Sequence, residues 1–96
     1  MNQYLLLIHG NEKTATTTEE WERFFIAAKA SGTFKGGSEV GKRKILGDIT
    51  SAGSSAHIVG YMRFDSGDEQ KVLALLAQHP VVLHGGSVEL CELPKS

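Results

Sequence analysis

Four histidines in a chain of 96 residues, His9, His57, His79 and His84, are the side chains best suited to move a proton near neutral pH. His9 closes the apolar run Tyr4-Leu5-Leu6-Leu7-Ile8, where a side chain would stand at the mouth of a cleft. His79 precedes Pro80 and would end a helix, a place where the macrodipole favours an imidazolium. His84 follows five residues later beside Gly85-Gly86, so the two could converge on one small cavity. His9 and His79 are therefore the candidate acid–base groups. Tyr61 and Arg63 share a strand parity with His57 and, together with His84, are the candidates for holding a substrate's hydroxyl and negative charge. A plainer account makes each of them structural, with His9 bonded to a loop, His79 at a helix end, His84 solvated, and Arg63 paired with Glu89.

Other chemistries find less support. His79 and His84 flank a proline and a loop, and no carboxylate or cysteine completes a ligand pattern, so no metal site is expected. Gly36-Gly37-Ser38 lacks the spacing of a phosphate loop and opens no helix, so no cofactor is expected either. A net charge of -1 leaves no electrostatic footprint for nucleic acid or an anionic membrane. The basic run Lys42-Arg43-Lys44 is short enough to be a solvated edge that discourages aggregation, and Tyr61 alone is too little aromatic surface for RNA stacking. Cys91 is the only cysteine, which excludes an intrachain disulfide and suits a reducing cytoplasm; it reads as a small hydrophobe rather than a nucleophile. Leu5 to Ile8 is far shorter than a membrane span or a signal-peptide core, so a soluble, unprocessed chain is expected.

The elements that must position these residues follow from periodicity. Tyr4 to Ile8 is apolar on both parities, as a central strand requires. Thr17 with Glu20 forms a capping box, and Trp21, Phe24, Phe25 and Ala28 then recur on one helical face until Gly32. Thr33 to Leu46 reads as an irregular, partly exposed strand broken by glycines, and Gly47 to Ala56 as a surface loop. His57 to Phe64 alternates, with Ile58, Gly60, Met62 and Phe64 on one side. Ser66 and Glu69 suggest a second capping box, opening a helix that carries Val72, Leu75 and Leu76 and runs to about His79, where Pro80 closes it. Gly85-Gly86 then turns the chain into a last strand, Val88 to about Leu93.

The whole of residues 1–96 thus reads as one α+β domain of order β-α-β-β-α-β: a ferredoxin-like, four-stranded antiparallel sheet with two helices on one face. A domain this small hides only about 60 to 65% of its unfolded surface. The uncovered sheet face would carry Val59, Tyr61, part of the first strand and Cys91, too apolar a patch to leave wet, so a homodimer through that face is expected.

Along these elements the runs YLLLIHG, Gly36-Gly37, GYMRF and HPVVLHGGSVELCEL occur in order and cover nearly the whole chain. In this the chain resembles the YCII-related family, also called the DGPF family. The resemblance implies a dimeric α/β barrel with a cleft between sheet and helices, binding a small polar or aromatic metabolite. The chemistry it implies is cofactor-independent proton transfer, isomerisation or elimination; a non-enzymatic ligand-binding or interaction module is the alternative. Two departures bear on this. The Asp-Gly-Pro-Phe signature is missing, since its segment reads Gly47-Asp48-Ile49-Thr50-Ser51. Some relatives pair a first-helix histidine with an aspartate before the late proline; here that helix has no histidine and His79 stands in the aspartate's place.

Overall fold

The computed structural model describes residues 1–95. Strand β1 (Asn2–His9) leads into helix α1 (Thr18–Ala30), then strands β2 (Phe34–Glu39) and β3 (Ile58–Ser66), helices α2 (Glu69–Leu76) and α3 (Pro80–Leu83), and strand β4 (Val88–Leu93). The sheet has the order β2-β3-β1-β4 with every pairing antiparallel, the ferredoxin-like arrangement that the periodicity predicts. β1 lies between two strands, which is why both its parities are apolar.

One face of the sheet is dry. Tyr4, Leu6 and Ile8 of β1 and Met62 and Phe64 of β3 bury against Phe24 and Ala28 of α1, Val72 and Leu76 of α2, and Val81 of α3. Hydrophobic burial of this kind is worth about 1.5–3 kcal/mol for each large side chain. The opposite face carries Leu5 between Arg63 and Cys91, and Leu7 between Tyr61 and Glu89. No helix covers it, and Leu5, Leu7, Tyr61 and Cys91 are half-buried by their sheet neighbours alone.

The helix ends follow local chemistry. At α1 the Thr17 hydroxyl accepts the Glu20 N–H at 3.2 Å while Glu20 accepts the Thr17 N–H at 2.8 Å, the reciprocal box expected. At α2 the expectation fails: Ser66 is still the last residue of β3, its hydroxyl folded onto the backbone of Asp68, and Asp68 accepts the Gln70 N–H as the actual cap. Nor does Pro80 close that helix. α2 ends at Leu76, and Pro80 is the first residue of α3, where its missing N–H costs nothing and its fixed φ suits the helix.

β2 is shorter than expected and stops at Glu39, leaving residues 40–57 as one long exposed connection. Gly36, at φ 112°, absorbs the bulge opposite Arg63, a conformation closed to other residues. No helix is long and apolar enough to cross a membrane among the described residues.

Candidate functional site

A cavity of about 510 Å³ opens between the sheet and the first half of α1. Small residues create it. Gly37 of β2 faces Met62 and Glu39 faces Gly60, so the sheet beneath α1 lacks two side chains on its inner face. Gly37 also allows close strand pairing, since a Cβ there would stand 2.3 Å from the Tyr61 carbonyl oxygen. Trp21 and Phe25, one helical turn apart on α1, form the wall, with ring centroids 6.0 Å apart. Phe25 continues toward Phe34 at 6.0 Å and Phe34 toward Phe64 at 5.7 Å, an aromatic series that ties the wall to the core. The polar residues around the cavity are Glu12 and Thr16 of the β1–α1 loop and Ser38 and Glu39 of β2. Thr16 accepts the Trp21 indole N–H at 2.9 Å and so fixes the wall.

None of the four histidines lines this cavity. His9 does end β1, but on the parity of Leu5 and Leu7 it stands on the face away from the helices rather than at the cleft's mouth. There its Nε2 lies 2.9 Å from Glu89 and its ring, tilted by 42°, has its centroid 5.0 Å from that of His57. Glu89 thus serves His9, not Arg63, which lies exposed beyond Leu5 on the same face. Of the residues nominated from sequence only Tyr61 borders the cavity, through the strand that forms its floor.

His79 is fully buried, and it begins a helix rather than ending one. Its Nδ1 accepts the Val81 N–H at 3.1 Å as the cap of α3. Trp21 and Phe24 close on its ring at 4.9 and 4.8 Å, both steeply inclined. Burial pushes its pKa from the usual 6.5 down to about 4, so the ring is neutral at physiological pH. With Nδ1 accepting, the proton sits on Nε2, which has no hydrogen-bond partner among the described residues.

His84 closes the other end of α3 and does not meet His79 in a shared cavity. Its Nε2 lies 2.7 Å from Glu20 Oε2 and 2.9 Å from Oε1, and its Nδ1 lies 2.7 Å from the Thr14 hydroxyl. A neutral ring satisfies both contacts by donating from Nε2 to the carboxylate and accepting at Nδ1 from Thr14. The bond from His84, followed by that from the Thr17 N–H, holds the Glu20 carboxyl below its ordinary range. Two further contacts stitch the same loops: Lys13 N–H donates to the His84 carbonyl, and Asn11 accepts the Ser87 N–H, each at 2.8 Å. The loop that carries Glu12 and Thr16 is therefore fixed before any ligand arrives.

Thr14 and Glu20 are the partners that sequence reading misses, because nothing local links a residue at position 20 to one at 84. Glu12 and Glu39 are missed for a different reason: an acidic residue on a loop, or on a glycine-rich strand whose opposite residue is Gly60, looks solvated until the fold sets it beside a cavity. Among the described residues no three histidine, cysteine or carboxylate side chains gather in a way that could hold a metal ion. A scan of protein-family models and a search among curated proteins find no match to this chain.

Proposed function

We propose that this protein binds a small, largely apolar or aromatic molecule in the cavity under α1. One observation carries the reading: a space of about 510 Å³, walled by Trp21 and Phe25 over a floor cleared by Gly37 and Gly60, with a few polar atoms at fixed positions. That size and lining are those of small-molecule sites in general. Trp21 is the only tryptophan, so its fluorescence reports occupancy directly. Titration with simple phenyl compounds should change its emission in a saturable way, and Val40→Trp, which narrows the rim, should abolish the NMR shifts of the floor residues. Saturable binding undiminished in Val40→Trp would sink the proposal.

The resemblance to the YCII-related family supports a dimeric α/β barrel, and the half-buried Leu5, Leu7 and Cys91 on the uncovered face support a second copy of the chain as its cover. Light scattering should then give twice the protomer mass, and Leu5→Asp, which points away from the core, should give a folded monomer. A lone cysteine supports residence in the cytoplasm.

A further inference from the structure

From the charge and hydrogen-bonding state of the cavity, we infer that its ligand is an organic cation, an amine carried on an aromatic or apolar body. This deepens the binding reading above and rests on it. The residues around the cavity include two acidic ones, Glu12 and Glu39, and no lysine, arginine or histidine. The two imidazole–carboxylate pairs, His9 with Glu89 and His84 with Glu20, are the only pairs at salt-bridge distance among the described residues, so both cavity carboxylates are unpaired. Glu39 also has no cross-strand side chain, because the residue opposite is Gly60.

Two donors at the cavity are already used. Trp21 Nε1 donates to Thr16 at 2.9 Å, and the Ser38 hydroxyl donates to the Glu39 carbonyl at 2.9 Å. Beside the Thr16 hydroxyl, which can still donate, what remains for a ligand is acceptor capacity with negative charge. An anion would meet two like charges without a compensating cation. An ammonium would meet two carboxylates, with the faces of Trp21 and Phe25 adding cation–π attraction. Both carboxylates lie toward the open side, Glu12 on a loop and Glu39 at the end of β2, each on an exposed residue. The ammonium therefore stays near the mouth while the apolar body enters.

Three matched probes separate charge selection from binding as such: phenethylamine, 2-phenylethanol and 3-phenylpropionate, followed by Trp21 fluorescence and by chemical-shift changes at Gly37 and Gly60. Phenethylamine should bind about tenfold tighter than the alcohol, and the carboxylate weakest of the three. The preference should shrink as salt is raised from about 0.05 to 0.5 M. Glu12→Gln with Glu39→Gln should bring the amine down to the affinity of the alcohol and leave the alcohol unchanged. Alcohol or carboxylate binding as tightly as the amine, or a preference that survives the double variant, overturns the cation assignment while leaving the cavity as a binding site. Absence of any response to all three probes overturns both.

Discussion

His84 Nε2 lies 2.7 Å from the Glu20 carboxylate across 64 residues of sequence, and that same carboxylate accepts the Thr17 N–H of the α1 capping box. One side chain thus holds a helix start and the last loop together. The two duties are separable by substitution. Glu20→Gln retains an amide oxygen for the box but gives up charge, whereas Glu20→Ala loses both contacts. Thermal unfolding should rank the variants with Ala lowest and Gln between it and the parent. The Glu20 carboxyl is held below its ordinary value, so its stabilising contribution is present above the unfolded pKa of about 4.5 and is lost as pH falls through the folded one. Glu20→Ala should therefore be less acid-sensitive than the parent below about pH 4.5.

His79 gives a separate acid dependence. Its folded pKa of about 4 lies below the 6.5 of the unfolded chain, so between those values the unfolded state binds the proton and the folded state resists it. Stability should be flat above about pH 6.5, should fall by up to about 3 kcal/mol as pH drops toward 4, and should lose no more from this residue below that. Denaturant melts of His79→Asn, which keeps a cap acceptor, would test it. At pH 7 the variant should lose about 1–3 kcal/mol from packing against Trp21 and Phe24. It should not show the parent's decline between pH 6.5 and 4, and an unaltered decline would assign it to other groups.

His79 also marks where sequence stops being informative. The central strand was legible because Leu5, Leu6, Leu7 and Ile8 leave no polar parity, and α1 was legible because a capping box precedes an apolar stripe. A proline after a helical stretch, by contrast, is the same signal whether it stops one helix or starts the next, and only the four-residue α3 decides between them. Ser66 with Glu69 has the spacing of a capping box, yet Asp68 is the cap because β3 extends through Ser66. The cavity is hidden for a physical reason. Trp21 and Phe25 occupy the positions a core stripe requires, and whether such a stripe meets a packed sheet or an open floor depends on the residues of β2 and β3 that face it, here Gly37 and Gly60. His84 and Glu20 are complementary residues with no periodic relation, so their meeting is a result of the fold.

Gly37 should tolerate no side chain. A Cβ placed there stands 2.3 Å from the Tyr61 carbonyl oxygen and 2.9 Å from the Met62 Cα, both backbone atoms of β3 that cannot rotate away. Gly37→Ala should then separate β2 from β3 and cost at least about 1–3 kcal/mol, the range for overpacking. Gly41→Ala is the control, since nothing lies within 4 Å of its added carbon. Equal denaturation midpoints for the two variants would contradict the close strand approach.

Arg43 anchors the long connection between β2 and β3. Its guanidinium donates to the backbone carbonyls of Ser55 and Ile58, tying one side of the 40–57 segment to the other just where β3 begins. Asp48 organises the tip: bonds from Thr50 and Ser51 hold its carboxyl down at about 2, so the turn keeps its charge throughout the neutral and mildly acidic range. Everything from Gly41 to His57 is otherwise exposed, and these side-chain bonds take the place of a core. Arg43→Ala should raise amide hydrogen exchange across residues 41–57 by about tenfold, the loss of about 1.4 kcal/mol of local protection, which is the size of one charge-assisted hydrogen bond. Exchange in β1 and β4 should not change, because Arg43 touches neither. A uniform acceleration through the whole sheet would mean that the segment opens only with global unfolding, and that Arg43 stabilises the fold rather than the loop.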